Sequence, residues 1–488
     1  EIVGASHFLE LCLKEFPRCV RYSYREQQTL LPNILTVAAV LEAIPIDVDM
    51  DIQCSNIVFD ATETFLALNT PALATEYVYF NYVNDTTGLA MLNPGYSRGQ
   101  ERVWDPEIVD DLQPFLVDFI FSEKLFVIFL INGCIECSKE NTLLNAMVSV
   151  NPWPKPIGVY GYANYWNVFG GYLYEAHTLC ANARNMGAIP TGRVSNFSFF
   201  STRREPIARP GELQQNALEK LAYDPTQTYV AFVVGDGDNI SFIMDSRAKW
   251  LRERSLACLE GEDSCPPLTW TISPHLTHLA PDVLEWYYRK SHETGKDFFM
   301  LPPSGHLYAY PASMKREVQD AFVKATARDA NLLGTHSTVH WEWLYKWRDA
   351  EKKFLPKYAK TQGGIQGIFP VNVPYMFPTF TWKEDQFFKV LVGENGGKVV
   401  LFRPREWRGI DERGGYLAKK FYLSPENMAK ELAEYPQGTV TGIYMTSDGG
   451  LNLTNSIVAL VKLLPEHVHL VSGDTAVRLA LEASEITE

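Results

Sequence analysis

Residues 229–239 read YVAFVVGDGDN, and the reading of this stretch decides the fold. Tyr229 to Val234 are apolar without a break and rich in β-branched and aromatic side chains. A run this short is a strand rather than a helix, and its lack of alternation says that both faces are covered. Strands of that kind belong to parallel sheets flanked by helices. Gly235 to Asn239 then bring turn residues and two carboxylates to the strand's end.

Similar runs recur at 268–272 (LTWTI), 297–301 (DFFML), 331–336 (NLLGTH), 364–369 (GIQGIF), 398–403 (KVVLFR), 439–445 (TVTGIYM) and 467–471 (HVHLV). Helical patterns lie between them. In 280–293, Pro281 suits a first turn and Val283, Leu284, Tyr287 and Tyr288 make one face. In 312–330, Met314, Val318, Ala321, Phe322 and Ala325 do the same. Ser424-Pro425 is an N-cap followed by Pro at the first helical position, and Asp474 is placed to cap the last helix. Eight strand–helix units in roughly 270 residues match a (β/α)8, TIM-type barrel, with a doubly wound sheet as the rival. Short runs do not fix the strand number, so seven or nine remain open.

Upstream the order is less regular. Residues 75–83 (TEYVYFNYV) and 156–162 (PIGVYGY) read as strands, 125–131 (LFVIFLI) as a buried strand between two helices, and 175–187 as a helix. One or two smaller α/β domains are expected there. The Pro-rich NPWPKP at 151–156 and the polar stretch 202–213 suggest a division into 1–150, 151–220 and 221–488.

Composition narrows the class. The chain has 488 residues, 46% hydrophobic and 21% charged, which is globular and too long for one ordinary core. A net charge of −14 lacks the basic footprint that nucleic acid or an anionic membrane requires. The longest apolar run, 125–131, is too short to span a bilayer. The chain opens on Glu1 without Met, as a processed signal peptide or a truncation would leave it. Eight Cys are compatible with disulfides, and a bridge between Cys258 and Cys265 would close a polar loop. Cys134 and Cys137 form a lone CxxC without the second pair that a zinc site needs. Sequons at Asn84, Asn196, Asn239 and Asn452, with the even Cys count, point to a secreted, extracellular glycoprotein. No metal and no cofactor is expected, and the oligomeric state is open.

In a parallel barrel the chemistry lies on the loops after the strands. Asp236 and Asp238, two residues apart, project to one side with glycines that let the backbone turn. They suit acid/base work or sugar-hydroxyl binding, and equally a plain turn with an Asp cap. A calcium loop is a weaker option, because its remaining ligands do not follow. The next loops carry His275, then PPSGHLYAYP (302–311) with Ser304, Tyr308 and Tyr310, then His336 and His340-Trp341. After the sixth run come Arg403, Glu406 and Trp407, and after the seventh Asp448. Each is weak alone, and a capping or packing role is as ready an explanation for His275.

These residues resemble the GxGYxYP family, described as glycoside hydrolases. Gly305 to Pro311 (GHLYAYP), preceded by Pro303-Ser304, is similar to its name motif, and Gly235 to Asn239 to its SDGDN motif. Trp270 to Tyr288 and VLFRPREW (400–407) resemble two further segments, and Glu175-Ala176 with the NFS at 196–198 an upstream one. Two positions depart from the family pattern: Leu307 replaces its second Gly, and Gly235 its Ser. Leu307 is expected to narrow or redirect the loop.

The resemblance implies carbohydrate processing. The leading expectation is a glycoside hydrolase acting on a poly- or oligosaccharide. Asp236 or Asp238 would be the acid/base, with Asp448 or Glu406 the partner. Tyr308, Tyr310 and Trp407 would stack on sugar rings. Asn239, His275, Ser304, His336 and Arg403 would contact the substrate. The alternative is a non-catalytic carbohydrate-binding or extracellular structural protein on the same fold. A hydrolase of an ester or amide ranks last, since the sequence holds neither GxSxG nor HExxH.

Overall fold

A computed structural model of the chain describes residues 5–92, 116–130, 137–161, 185–192, 194–259, 261, 265–342, 346–360, 364–371, 382–383, 385–403, 405–408, 423–445 and 453–487. They form two compact units, Glu1–Thr202 and Arg203–Glu488. Both are mixed α/β with parallel sheets.

In the first unit, β1 (Arg18–Tyr22) lies between β2 (Ile44–Asp47) and β3 (Asn56–Asp60). A second parallel sheet runs β5 (Phe126–Ile128), β4 (Leu89–Met91), β6 (Ile157–Tyr160), β7 (Met186–Ile189). One apolar core spans both sheets, from Val20 on β1 to Met186 on β7. The Cys19–Cys54 disulfide ties β1 to the segment before β3. Residues 75–83 are not a strand. Thr70 caps a helix over Pro71–Tyr82, its hydroxyl accepting from the Leu73 amide, and Pro71 starts it. Ala74, Thr75 and Val78 make its buried face. Cap and spacing override the strand preference of the aromatics. Of the helix expected over 175–187, most lies outside the described residues, and Met186 already belongs to β7.

The second unit opens with β8 (Thr228–Val234), buried at every position. On one side β8 pairs with β16 (Val440–Met445) along its length. On the other it pairs first with β17 (Val468–Val471) and then, at its end, with β9 (Leu268–Thr271). β10 (Asp297–Met300) follows β9, and a single bridge, Leu301 to Thr338, leads to a second sheet. That sheet runs β11 (Ser337–His340), β12 (Gly367–Pro370), β14 (Lys398–Phe402). β13 (Phe388–Val392), which the sequence reading missed, lies antiparallel on the edge of β14. β15 (Glu406–Trp407) then pairs with the end of β16. The eighth expected strand therefore shares the edge of β8 with β9 instead of adding a separate stave.

The helices over Pro281–Thr294 and Pro425–Ala433 match expectation, the second capped by Ser424 through the Asn427 amide. The helix Arg316–Leu333 runs into the stretch expected as the fourth strand. Gly334, in the left-handed region at φ 66°, stops it, and the strand begins at Ser337. Asp474 does not cap the last helix. Its buried carboxylate accepts from the His336 amide at 3.1 Å and from the hydroxyls of Thr335 and Ser337, so it binds the start of β11. Between Ala248–Cys258 and the sheet, Arg254 Nε meets Asp297 Oδ1 at 2.6 Å with both side chains buried, and Trp270 Nε1 donates to the same oxygen at 2.7 Å. The anticipated Cys258–Cys265 disulfide is present. Among the described residues no helix is long and apolar enough to cross a membrane.

Candidate active site

The DGDN turn is fixed from three sides at the end of β8. The Asp236 amide donates to Tyr444 Oη at 3.2 Å, from β16. The Gly237 amide donates to Thr271 Oγ1 at 3.0 Å, from β9, and that hydroxyl donates to Val234 O at 2.8 Å. Asn239 caps the following helix, its Oδ1 accepting from the Ser241 amide at 3.1 Å and hydroxyl at 2.8 Å. The capping role thus falls to Asn239 and to neither aspartate. Asp236 and Asp238 are half-buried. Asp236 takes a left-handed backbone at φ 57°, a strained setting for a residue with a Cβ.

The glycines admit close approach. A Cβ on Gly237 would lie 1.9 Å from Thr271 O, and one on Gly235 2.3 Å from Tyr444 Cζ. The Gly235 departure is thereby accounted for: the Tyr444 ring fills the space that a Ser side chain would take.

Behind the turn sits Arg247, 1% exposed. Nη1 donates to Val234 O at 3.4 Å, Nη2 donates to Thr271 O, and the guanidinium lies 5.5 Å from the Trp270 ring centroid. Burial lowers its pKa, while Tyr287, Asp236, Tyr444 and Asp238 act to raise it. Burial holds the Tyr444 phenol well above its ordinary value, and the charges of Asp236, Asp238 and Glu406 push the same way. Glu406 therefore shares a neighbourhood with both aspartates. It does not face a mouth, however: it is fully buried on β15 and ion-paired to Arg408 at 2.7 Å. Asp448 lies outside the described residues.

The motif loop departs from the expected stacking wall. Ser304 is buried and bridges two segments, with Oγ 2.9 Å from Ala309 O and 3.0 Å from Trp341 O, and it accepts from the Trp341 amide at 2.8 Å. Tyr308 and Tyr310 are buried edge-on to Trp341, at 5.3 and 5.9 Å between centroids. Gly305 carries the left-handed turn at φ 102°. Leu307 does not, and at 2% exposure it packs inside, so the substitution is absorbed as a core side chain. Trp407 is also buried, against Phe232, with Nε1 donating to Leu423 O at 2.8 Å. Arg403 stacks on Trp382 at 4.6 Å and donates from Nε to Gln386 O at 2.7 Å, which holds the stretch before β13. His336 is exposed at the start of β11, the opposite strand end from the DGDN turn.

Two buried polar groups form around His275 and His340, which the sequence reading named, with partners it did not. His275 Nε2 donates to His306 O at 2.7 Å, and His306 Nδ1 meets Asp329 Oδ2 at 2.6 Å. Burial, with the nearby His306 and His278, holds His275 well below its ordinary pKa. Burial raises Asp329, but the His306 charge and hydrogen bond, with Arg328 and His275, outweigh it and leave the carboxyl low. The second group is His340 and Glu342, 3.0 Å apart and fully buried at the end of β11, with Glu342 Oε1 also accepting from the Ala312 amide at 2.7 Å. Among the described residues no three His, Cys, Asp or Glu side chains are arranged to hold a metal ion. Tyr444 had a signal, since it ends an expected strand. Arg247 had none, because a buried Arg in a helix reads as a surface one.

Residues 226–387 match the family model described as "GxGYxYP putative glycoside hydrolase C-terminal domain". This segment is GxGYxYP-like. The match starts just before β8 and takes in both the DGDN turn and the GHLYAYP loop. Among solved structures, a "putative hydrolase" from Bacteroides thetaiotaomicron VPI-5482 aligns with a TM-score of 0.65 at 19% identity, over 97% of this chain and 82% of that one. The GxGYxYP-like segment and the unit before it therefore share their fold with that protein. A 4-alpha-glucanotransferase from Thermococcus litoralis aligns over 52% of this chain and 40% of its own, at 13% identity and a TM-score of 0.34. That likeness is too distant to bear on chemistry. No curated protein matches the sequence.

Proposed function

We propose that this chain is a secreted glycoside hydrolase acting on a poly- or oligosaccharide at the DGDN turn. The observation that carries the reading is the seating of Asp236 and Asp238 on a turn anchored to β8, β9 and β16, with a buried Arg247 behind them. Rigid placement of carboxyl groups is what glycosidic cleavage requires. The GxGYxYP-like match supports the carbohydrate class. The parallel sheets of the second unit act as one barrel-like framework in this reading, with chemistry at their carboxyl ends. Asp238 or Asp236 serves as acid/base. Asp448, just past β16 in the sequence, is the partner that best fits, since Glu406 is committed to Arg408. The Cys19–Cys54 and Cys258–Cys265 disulfides and the sequons support secretion.

The buried positions of Tyr308, Tyr310 and Trp407 leave those rings no open stacking face, for cleavage or for binding, so the choice between a hydrolase and a carbohydrate-binding protein rests on the carboxylates. Asp236→Asn and Asp238→Asn, assayed separately for reducing-sugar release over a panel of glycans, test the proposal. At least one should lose about 10²–10⁴-fold in kcat while keeping its melting temperature. Full activity in both would sink the assignment, and glycan binding by the wild type without cleavage would favour the binding protein.

A further inference from the structure

We infer that Arg247 is a positioning residue for the Asp236–Asp238 turn: its guanidinium clamps the carboxyl ends of β8 and β9 together and supplies the positive charge behind the two carboxylates. The inference rests on the proposed role of that turn and adds a residue that no motif marks.

Three observations converge on it. The guanidinium fork is used for geometry, since Nη1 and Nη2 reach Val234 O and Thr271 O, carbonyls on neighbouring strands. These strand ends are the two that seat the turn, because Thr271 Oγ1 bridges the Gly237 amide and Val234 O. Pulling them apart by even a fraction of an ångström would move Asp238. The approach of the side chain is built into the chain path. The helix after Asn239 widens to a π-turn over Ile243–Arg247, and Tyr287 Oη donates to Ile243 O at 2.5 Å within that turn. A π-turn shifts the side chains after it relative to a regular helix, a device that recurs at functional sites. Finally, the charge has a destination. Burying a guanidinium is costly unless carboxylates answer it, and the acidic groups that act on it are Asp236 and Asp238, with Tyr287 and Tyr444 as phenols. Arg247 lies on no open surface, so it touches no substrate and acts only through the turn.

The geometry separates two substitutions. Lys at 247 keeps a charge but lacks the rigid planar fork, whereas Met keeps bulk and loses both charge and donors. Displacement of the turn by about 1 Å is worth about a hundredfold in rate. With a cleaved glycan in hand, Arg247→Met should lower kcat by about a hundredfold with KM unchanged, and Arg247→Lys should lower it by less. The full chain labelled with ¹⁵N-glycine supplies a readout that needs no substrate. The Gly237 amide, held by Thr271 Oγ1 between the clamped strand ends, should exchange with solvent about tenfold faster in Arg247→Met than in wild type. Equal exchange in the two proteins, each shown by circular dichroism to be folded, would overturn the inference. Faster exchange in Arg247→Met with no glycan cleaved by the wild type would instead overturn the hydrolase reading and leave Arg247 as the holder of the turn. If Arg247→Met fails to fold, the Lys variant decides: wild-type kcat there would show that the two-carbonyl clamp does not position the turn.

Discussion

Gly237→Ala is expected to cost the second unit about 3 kcal/mol or more, the upper end of what overpacking costs. The added Cβ would lie 1.9 Å from Thr271 O and 2.3 Å from Thr271 C. Those are backbone atoms, and no rotamer change can move them aside. Thr271 is held on the far side too, where β9 pairs with β10 at Met300, and its carbonyl accepts from Arg247. Either β9 is displaced from its neighbours or the turn leaves its seat. Leaving the seat breaks the bonds from the Gly237 amide to Thr271 and from the Asp236 amide to Tyr444. Urea unfolding should show a lower midpoint at unchanged slope. Gly235→Ala offers a contrast within the same turn. Its Cβ would meet the Tyr444 ring, a side chain that can be shortened, so Tyr444→Leu should recover part of that loss and none of the Gly237→Ala loss. A Gly237→Ala protein as stable as wild type would mean that the turn is not wedged against β9.

The same turn shows what a sequence can and cannot reveal. The apolar run 229–234 announced β8 because full burial on two faces leaves its trace in every residue. The Gly-Asp-Gly-Asp spacing announced the turn because only certain residue types make one. Ser424-Pro425 announced its helix for the same local reason. Burial of the motif aromatics was not legible. Tyr308, Tyr310 and Trp407 have the same side chains whether they line a cleft or fill a core, and only Trp341 and Phe232, distant in sequence, decide between the two. The fate of the last strand was equally hidden, since the run 467–471 specifies a strand but not which half of β8 it will share. His336 was misplaced because Leu332 and Leu333, buried on a helix, look like strand residues until Gly334 is recognised as the stop. Asp474 reads as a cap from its neighbours in the chain, and its partners at 335–337 come from elsewhere.

Glu342→Gln is expected to remove a contribution to the pH dependence of stability that the wild type carries. Burial pushes the Glu342 carboxyl well above its ordinary 4.5, against smaller downward effects of the Ala312 hydrogen bond and Lys346, with Asp349 adding to the rise. Burial likewise pushes His340 down to about 3 from 6.5. Burial thus favours the uncharged form of both members of the pair. Above pH 4.5 the unfolded chain gives up the Glu342 proton while the folded chain keeps it. Stability then falls as pH rises, by up to about 1.4 kcal/mol per pH unit, until the folded carboxyl ionises too. His340 runs the other way: its contribution is complete above 6.5 and is lost as pH falls toward about 3. Gln at 342 has no proton to lose and keeps an oxygen for the Ala312 amide. Its stability relative to wild type should therefore climb as pH rises above 4.5 in urea melts, whatever its offset at lower pH. Parallel curves for the two proteins would show that Glu342 is not held neutral. The consequence reaches the GHLYAYP loop. Ser304 ties the start of that loop to Trp341 and Glu342 ties its end at Ala312, so both anchors come from the three residues 340–342. Conditions that ionise Glu342 put a charge into the only anchor of the two that titrates, and the loop should loosen from its Ala312 end first.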